Sequence, residues 1–291
     1  MSAPVLAAPT TATLRVSCRD RTGLVAALSQ FVFDYGGNIL DADQHADLET
    51  GLFFMRLVFS LESFKLDRAA MQGAIAMLAT RFDLTWELTT SDARPRVAVL
   101  ASKTPHCLYD LLLSHQLGEL GGDLCVVISN HDDLRAVAGH FGVRFEHIPV
   151  DANDRVAAED AQQELFDALK IDLVVLARYM QVLSPELVAR WPGRIINIHH
   201  SFLPAFVGSK PYHQAQARGV KIIGATAHYV TAELDQGPII EQDVCRVSHR
   251  DDVGALVQKG RELERQVLTR AVRAHLQRRV LVTGGKTIVF G

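Results

Sequence analysis

The run Arg96-Val97-Ala98-Val99-Leu100-Ala101 sets the architecture of most of this chain. It follows Pro95, is apolar almost throughout, and is too short for a helix. A run of this kind reads as a strand buried on both faces. Four similar runs follow, at Leu124 to Ser129, Phe145 to Val150, Leu173 to Ala177 and Ile195 to Ile198, separated by helical stretches. Strand and helix in alternation predict an α/β fold with a doubly wound, mostly parallel sheet. In such sheets ligands bind beyond the carboxyl ends of the strands. A β-rich segment (Lys221 to Val230), a turn (Leu234 to Pro238), a strand (Ile239 to Val247), a long helix (about Asp251 to Gln277) and a tail with strand character complete this block. The turn after the first run, Ser102-Lys103-Thr104-Pro105-His106, contains no glycine, and the block has neither G-x-G-x-x-G nor a Walker loop. That argues against a dinucleotide and against close backbone cradling of a phosphate.

Upstream lies a second, smaller pattern. Thr11 to Cys18 is rich in β-branched residues, and Gly23 to Tyr35 carries Leu24, Ala27, Leu28, Phe31 and Val32 at helical spacing before Gly36-Gly37. Asn38 to Ala46 and Leu52 to Ser60 read as strands joined near Gly51. Asp67 to Thr80 reads as a helix with Ala70, Ile75 and Leu78 on its apolar side, and Leu84 to Leu88 alternates again. The order βαββαβ predicts an α+β sandwich with helices on one face. The polar stretch Thr89 to Pro95 is the expected linker, since Pro95 keeps Arg94 extended. The expected boundaries are therefore 1–90, 91–95 and 96–291.

Composition narrows the classes of function. The 291 residues are 48% hydrophobic and 22% charged, enough for two ordinary cores. A formal net charge of -3 gives no nucleic-acid footprint. The cysteines, Cys18, Cys107, Cys125 and Cys245, are far apart and form no C-x-x-C pair, as in a reduced cytoplasmic protein. Residues 1–10 lack a basic n-region and a long apolar segment, and read as a frayed start rather than a signal peptide. No apolar run is long enough for a bilayer, so no membrane association is expected.

The chemistry concentrates in Asn197-Ile198-His199-His200-Ser201-Phe202-Leu203-Pro204-Ala205-Phe206. Residues i and i+2 of a strand share a face, so Asn197 and His199 converge at a strand end. An amide donor beside an imidazole suits chemistry in which a carbonyl oxygen gains charge and an amine leaves. His200 points away if the strand continues and lines the site if the chain turns. His199, His200, His213 and His228 invite a zinc reading. Adjacent strand histidines diverge, however, and no carboxylate or cysteine stands at ligand spacing, so no metal is expected.

Asn197 to Gly208 resembles the signature N-I-H-x-S-x-L-P-x-[FY]-x-G of the folate-dependent formyltransferase family. Leu234-Asp235-Gln236-Gly237-Pro238-Ile239-Ile240 resembles its second, acidic-loop signature. Ala177 to Ser184 resembles the segment whose backbone receives the pterin ring. His200, Phe202, Ala205 and Phe206, with Pro211 to Ala215 and Gly224 to Val230, resemble the deformylase branch of that family, which hydrolyses 10-formyltetrahydrofolate to tetrahydrofolate and formate. Asp20-Arg21-Thr22-Gly23-Leu24-Val25-Ala26 and Gly36-Gly37-Asn38-Ile39 resemble an ACT domain. The resemblance implies catalysis by Asn197, His199 and Asp235, and a folate pocket built from Tyr179, Met180, Gln181, Val182, Leu183 and His200. It implies effector contacts at Asp20, Gly23 and Asn38. It further implies no tightly bound cofactor, 10-formyltetrahydrofolate as substrate, a small amino-acid effector such as glycine or methionine, and a homo-oligomer. Two departures stand out. The glycine-free Ser102–His106 turn speaks against a phosphorylated acceptor, and Gln181 stands where many relatives carry Arg. A formyltransferase to an amine acceptor and a non-catalytic folate or amino-acid sensor are the alternatives.

Overall fold

The structure is a computed structural model that describes residues 10–151, 154–203 and 211–291. The motif positions Pro204, Ala205, Phe206 and Gly208 lie outside the described residues, as does most of the N-terminal stretch read as frayed. The chain divides into two compact units. One runs to Arg94 and includes Arg278–Leu281 and Ile288–Gly291; the other holds Pro95–Gln277 and Val282–Thr287.

In the first unit the elements are β1 (Thr11–Arg19), α1 (Leu24–Asp34), β2 (Ile39–Asp47), β3 (Leu52–Ser60), α2 (Arg68–Phe82) and β4 (Thr85–Thr90). The sheet order is β2-β3-β1-β4, and its paired strands are antiparallel. Strand β1 shows why: Ala12, Leu14, Val16 and Cys18 are buried, while the residues between them are partly exposed. Helix α1 lays Leu24, Leu28, Phe31 and Val32 on this face. Each such side chain contributes roughly 1.5–3 kcal/mol of burial. Asp67 caps α2 by accepting a hydrogen bond from the Ala70 amide at 2.8 Å. The apolar side of α2 differs from the reading above. Met71, Ile75 and Ala79 are buried, Ala70 is exposed and Leu78 only partly buried. The i, i+4, i+8 row that carries Met71 removes more apolar surface from water than a row starting at an alanine.

The second unit contains β5 (Arg96–Ala101), α3 (His106–Gln116), β6 (Asp123–Ser129), α4 (Arg135–His140), β7 (Arg144–His147), α5 (Arg155–Ala168), β8 (Leu173–Ala177), α6 (Pro185–Arg190), β9 (Ile195–His199), α7 (Pro211–Arg218), β10 (Ile222–Tyr229), β11 (Ile239–Arg246) and α8 (Val253–Leu276). The sheet order is β11-β10-β9-β8-β5-β6-β7. Neighbours from β9 through β7 are parallel, whereas β10 runs antiparallel to both β9 and β11. Strand β7 stops at His147 rather than Val150. Its last ladder partner is Ser129, the end of β6, and Pro149 has no N–H with which to continue. Strand β5 is flanked by β6 on one side and β8 on the other, so the connections leave in opposite directions. The crevice forms at the carboxyl ends there. The final strands, β12 (Val280–Thr283) and β13 (Lys286–Val289), pair with each other.

Candidate active site

A cavity of about 690 Å³ opens at the carboxyl ends of β5, β8 and β9, a size suited to a small-molecule ligand. Strand β9 ends there with Asn197 and His199. Its antiparallel register with β10 sets His228 opposite Asn197 and Thr226 opposite His199. Cross-strand partners share a face. Asn197 Nδ2 accordingly lies 3.3 Å from His228 Nε2.

Beyond His199 the chain turns. The buried Thr226 hydroxyl donates to the Ser201 carbonyl at 2.9 Å and accepts from the Leu203 amide at 3.1 Å. This turn brings the His200 ring to 5.1 Å from the His199 ring, and both line the cavity. Burial, then the charges of Arg178 and His199, lower the His200 pKa to about 4.

Asp235 arrives on the loop between β10 and β11. Gly237 lets that loop seat: a Cβ there would stand 1.6 Å from the Tyr229 carbonyl oxygen. Asp235 itself has a positive φ of 56°, which a short polar side chain tolerates. Its carboxylate bridges two imidazoles, with Oδ2 3.2 Å from His199 Nδ1 and Oδ1 3.6 Å from His228 Nε2. Hydrogen bonding from His199, then from His228, holds Asp235 far below the ordinary carboxylate range, so it is ionised.

The tautomers follow. His228 Nδ1 is 2.9 Å from the Tyr229 carbonyl, which can only accept, so Nδ1 carries the proton. Nε2 then donates to Asp235 when the ring carries both protons and accepts from the Asn197 amide when it carries one. His199 donates through Nδ1 to Asp235. Its Nε2 is buried and has no hydrogen-bond partner among the described residues.

Tyr179, Met180, Gln181, Val182 and Leu183 form another wall of the cavity. The segment is pinned at both ends. Ser102 Oγ accepts from the Met180 amide at 3.1 Å and donates to Asn130 at 2.7 Å. Gln162 donates to the Tyr179 hydroxyl at 3.0 Å, and Glu159 accepts from the Ser184 amide at 2.7 Å. Between the pins, residues 181–183 make no backbone hydrogen bond among the described residues, so their polar groups are open to a ligand. Met180 and Val182 are exposed.

A second polar cluster also lines the cavity. Glu264 of α8 is 2% exposed. It accepts from the Tyr212 hydroxyl at 2.9 Å, bonds His106 Nε2 at 2.9 Å and faces Arg178 Nε at 3.4 Å. His106, Cys107 and Glu264 stand close enough to suggest cation ligands. Burial pushes the Cys107 thiol well up, however, and Arg178 already supplies the positive charge. Both disfavour a metal ion there.

In the first unit a smaller cavity of about 380 Å³ is lined by Asp20 and Gly23, with Leu24, Gln44 and Phe53. Asn38 is not in that lining; its carbonyl accepts from the Ser60 amide at the start of β2. The sequence reading missed His228 and Glu264 as site residues. Pairing of β10 with β9 reveals the first. The second carried a signal, a glutamate inside the apolar stripe Leu256, Gly260, Leu263, Val267, Leu268 of α8.

A doubly wound sheet presents an amide, two imidazoles and a carboxylate at its carboxyl edge, and comparison with known families assigns that sheet to the formyl transferase class. The formyl transferase family model matches residues 95–272, and the ACT domain model matches residues 12–72. A Synechocystis protein named formyltetrahydrofolate deformylase is 52% identical over 96% of this chain and 98% of its own. One of the same name from Bacillus subtilis is 48% identical over 95% and 93%. The crystal structure of a formyltetrahydrofolate deformylase from Pseudomonas syringae superposes with a TM-score of 0.94 at 47% identity, covering 97% of this chain and 95% of that one. Glycinamide ribonucleotide transformylase 1 from Symbiobacterium toebii matches with a TM-score of 0.65 at 33% identity, covering 68% of this chain and 95% of that one. The chain belongs to the formyltetrahydrofolate deformylase family.

Proposed function

We propose that this chain hydrolyses 10-formyltetrahydrofolate to tetrahydrofolate and formate, with Asn197, His199 and Asp235 as its catalytic residues. One observation carries the reading: His199, which lines the cavity, is oriented by an ionised Asp235 at 3.2 Å, beside Asn197 on the same strand face, with a buried Nε2 that has no partner among the described residues. Nε2 takes a proton from water as the water oxygen adds to the formyl carbon. The amide N–H of Asn197 donates to the oxygen that gains charge. The imidazolium, stabilised by Asp235, then protonates the departing nitrogen as the C–N bond breaks and formate forms. The pterin ring binds along Met180 to Leu183, beside Tyr179, through the open backbone of residues 181–183. His200 lies against the substrate as a neutral ring, since its pKa of about 4 keeps it uncharged near neutral pH.

The ACT domain, in residues 1–90, binds a small amino acid through Asp20 and Gly23, with Asn38 as a third contact; residues 91–95 link it to the catalytic part, 96–291. The protein works as a cytoplasmic homo-oligomer in one-carbon metabolism. No helix among the described residues is long and apolar enough to cross a membrane. The test is formate release from 10-formyltetrahydrofolate by the purified chain with no acceptor added, repeated with glycine and with methionine. A chain that releases formate no faster than buffer ends the hydrolase reading, and rates indifferent to both amino acids end the effector assignment.

A further inference from the structure

Every backbone N–H and C=O of a segment at the rim of a sheet must find a partner or face a ligand or water. In the stretch after β8 the amides at the two ends are taken by side chains. Ser102, one residue past β5, accepts from the Met180 amide at 3.1 Å. Glu159 of α5 accepts from the Ser184 amide on Oε1 at 2.7 Å and from the Ser184 hydroxyl on Oε2. Neither Ser102 nor Glu159 lines the cavity. Both sit in a larger frame. The Ser102 hydroxyl donates to Asn130 Oδ1 at 2.7 Å and its carbonyl accepts from the Ser129 hydroxyl at 3.3 Å, which ties the ends of β5 and β6 to the stretch after β8. One turn along α5 from Glu159, the buried Gln162 donates to the Tyr179 hydroxyl at 3.0 Å. The chain enters the stretch through Arg178, whose φ of 62° is a conformation that a long side chain keeps only where neighbours hold it. Between the two held amides, residues 181–183 make no backbone hydrogen bond among the described residues.

We propose that Ser102 and Glu159 are positioning residues for folate, which hold the two ends of the 180–184 stretch so that the backbone between them stays open to the edge of the ring. The inference rests on the folate pocket proposed above and deepens it, since it assigns substrate affinity to two side chains outside the cavity wall. With the ends held, the ordering of this backbone is completed on folding and not charged to binding. With one end released, the stretch samples other conformations, and the apparent affinity falls with the fraction that remains competent. The reacting groups stand on β9 and on the loop after β10, so the chemical step does not depend on these two bonds.

The test separates KM from kcat in the full chain. Ser102→Ala and Glu159→Ala are each expected to raise KM for 10-formyltetrahydrofolate about tenfold, the scale of one hydrogen bond, with kcat held. Titration with tetrahydrofolate, the product, is expected to show the same rise in Kd. Glu159→Gln keeps an oxygen for the Ser184 amide and recovers most of the affinity lost in Glu159→Ala. Amide hydrogen exchange of the ligand-free chain gives a readout independent of turnover: the Met180 amide exchanges faster in Ser102→Ala and the Ser184 amide faster in Glu159→Ala, while β9 is unchanged. Ser102→Ala removes one oxygen and carries the test if Glu159→Ala does not fold. A folded Ser102→Ala with KM and Kd as in the unmodified protein overturns the proposal, and so does a loss confined to kcat. If the unmodified protein binds tetrahydrofolate but releases no formate, the hydrolase reading fails and the Kd comparison still decides the role of Ser102 and Glu159. If it does not bind tetrahydrofolate, the folate pocket fails and the proposal with it.

Discussion

Two carboxylates in one cavity, Asp235 and Glu264, are each bonded to histidine, and they differ in what else they hold. Asp235 bridges His199 and His228 and has no Lys or Arg ion-pair partner among the described residues. Glu264 holds His106 and Tyr212 and faces the guanidinium of Arg178. Burial alone would raise the Glu264 pKa, but the His106 bond and the Arg178 charge outweigh it and the carboxyl is lowered. Its charge is already compensated by a group that does not titrate. The charge of Asp235 is left for an imidazolium that exists only while a proton is in transit. A carboxylate with a permanent partner stiffens a wall, whereas one whose only partners are imidazoles can stabilise a developing charge.

The comparison breaks first at the reactive end. His199→Ala and Asp235→Asn are expected to lower kcat for formate release by about a thousandfold each, within the range of acid–base catalysis, and the double variant is expected to lose little more. Losses that multiplied in the double variant would show that the two residues do not act as a unit. Next comes Asn197→Ala, with a loss on the order of a hundredfold in kcat, as for an oxyanion donor. An effect confined to KM would make Asn197 a binding residue only.

Glu264→Gln sharpens the contrast by shifting the penalty from rate to stability. Removing one partner of a buried ion pair costs about 3 kcal/mol, so the melting temperature should fall by several degrees, whereas Asp235→Asn, at a more exposed carboxylate, lowers it less. Calorimetry on the two variants checks this, and a larger loss of Tm in Asp235→Asn would reverse the assignment. The smallest expected effect is pH dependence at His200. Its pKa is about 4 in the folded chain against an ordinary 6.5. Between those values the unfolded chain binds the extra proton, so stability falls as pH drops from 6.5 to 4 and this contribution levels off below. His200→Gln should flatten the dependence of Tm on pH across that window; an unchanged slope would mean that His200 is not the group responsible.

Much of this was readable in advance for identifiable reasons. Strands β5 and β8 are apolar along nearly their whole length because parallel strands are covered on both faces. The spacing of Asn197 and His199 follows from the period of a strand. Gly36 and Asp67 marked helix ends through backbone chemistry that acts within a few residues. The phase of α2 was misjudged because the sheet chose the row with Met71, a preference that no local rule expresses. The course of the chain after His199 was undecided because it depends on Thr226, 27 positions later, binding Ser201 and Leu203.

The amino-acid sequence by itself determined the two architectures, the strand that delivers an amide and an imidazole to one spot, and the glycine-bearing turn that carries the carboxylate. Each is a matter of period, propensity or backbone freedom over a few neighbouring residues. Only the tertiary structure decided that His228 shares Asp235 with His199, that His200 joins the cavity, and that Glu264 is locked among Tyr212, His106 and Arg178. These depend on register between strands and on packing between helices. Such distances are set by burial across the whole core, where a residue's partners lie tens of positions away.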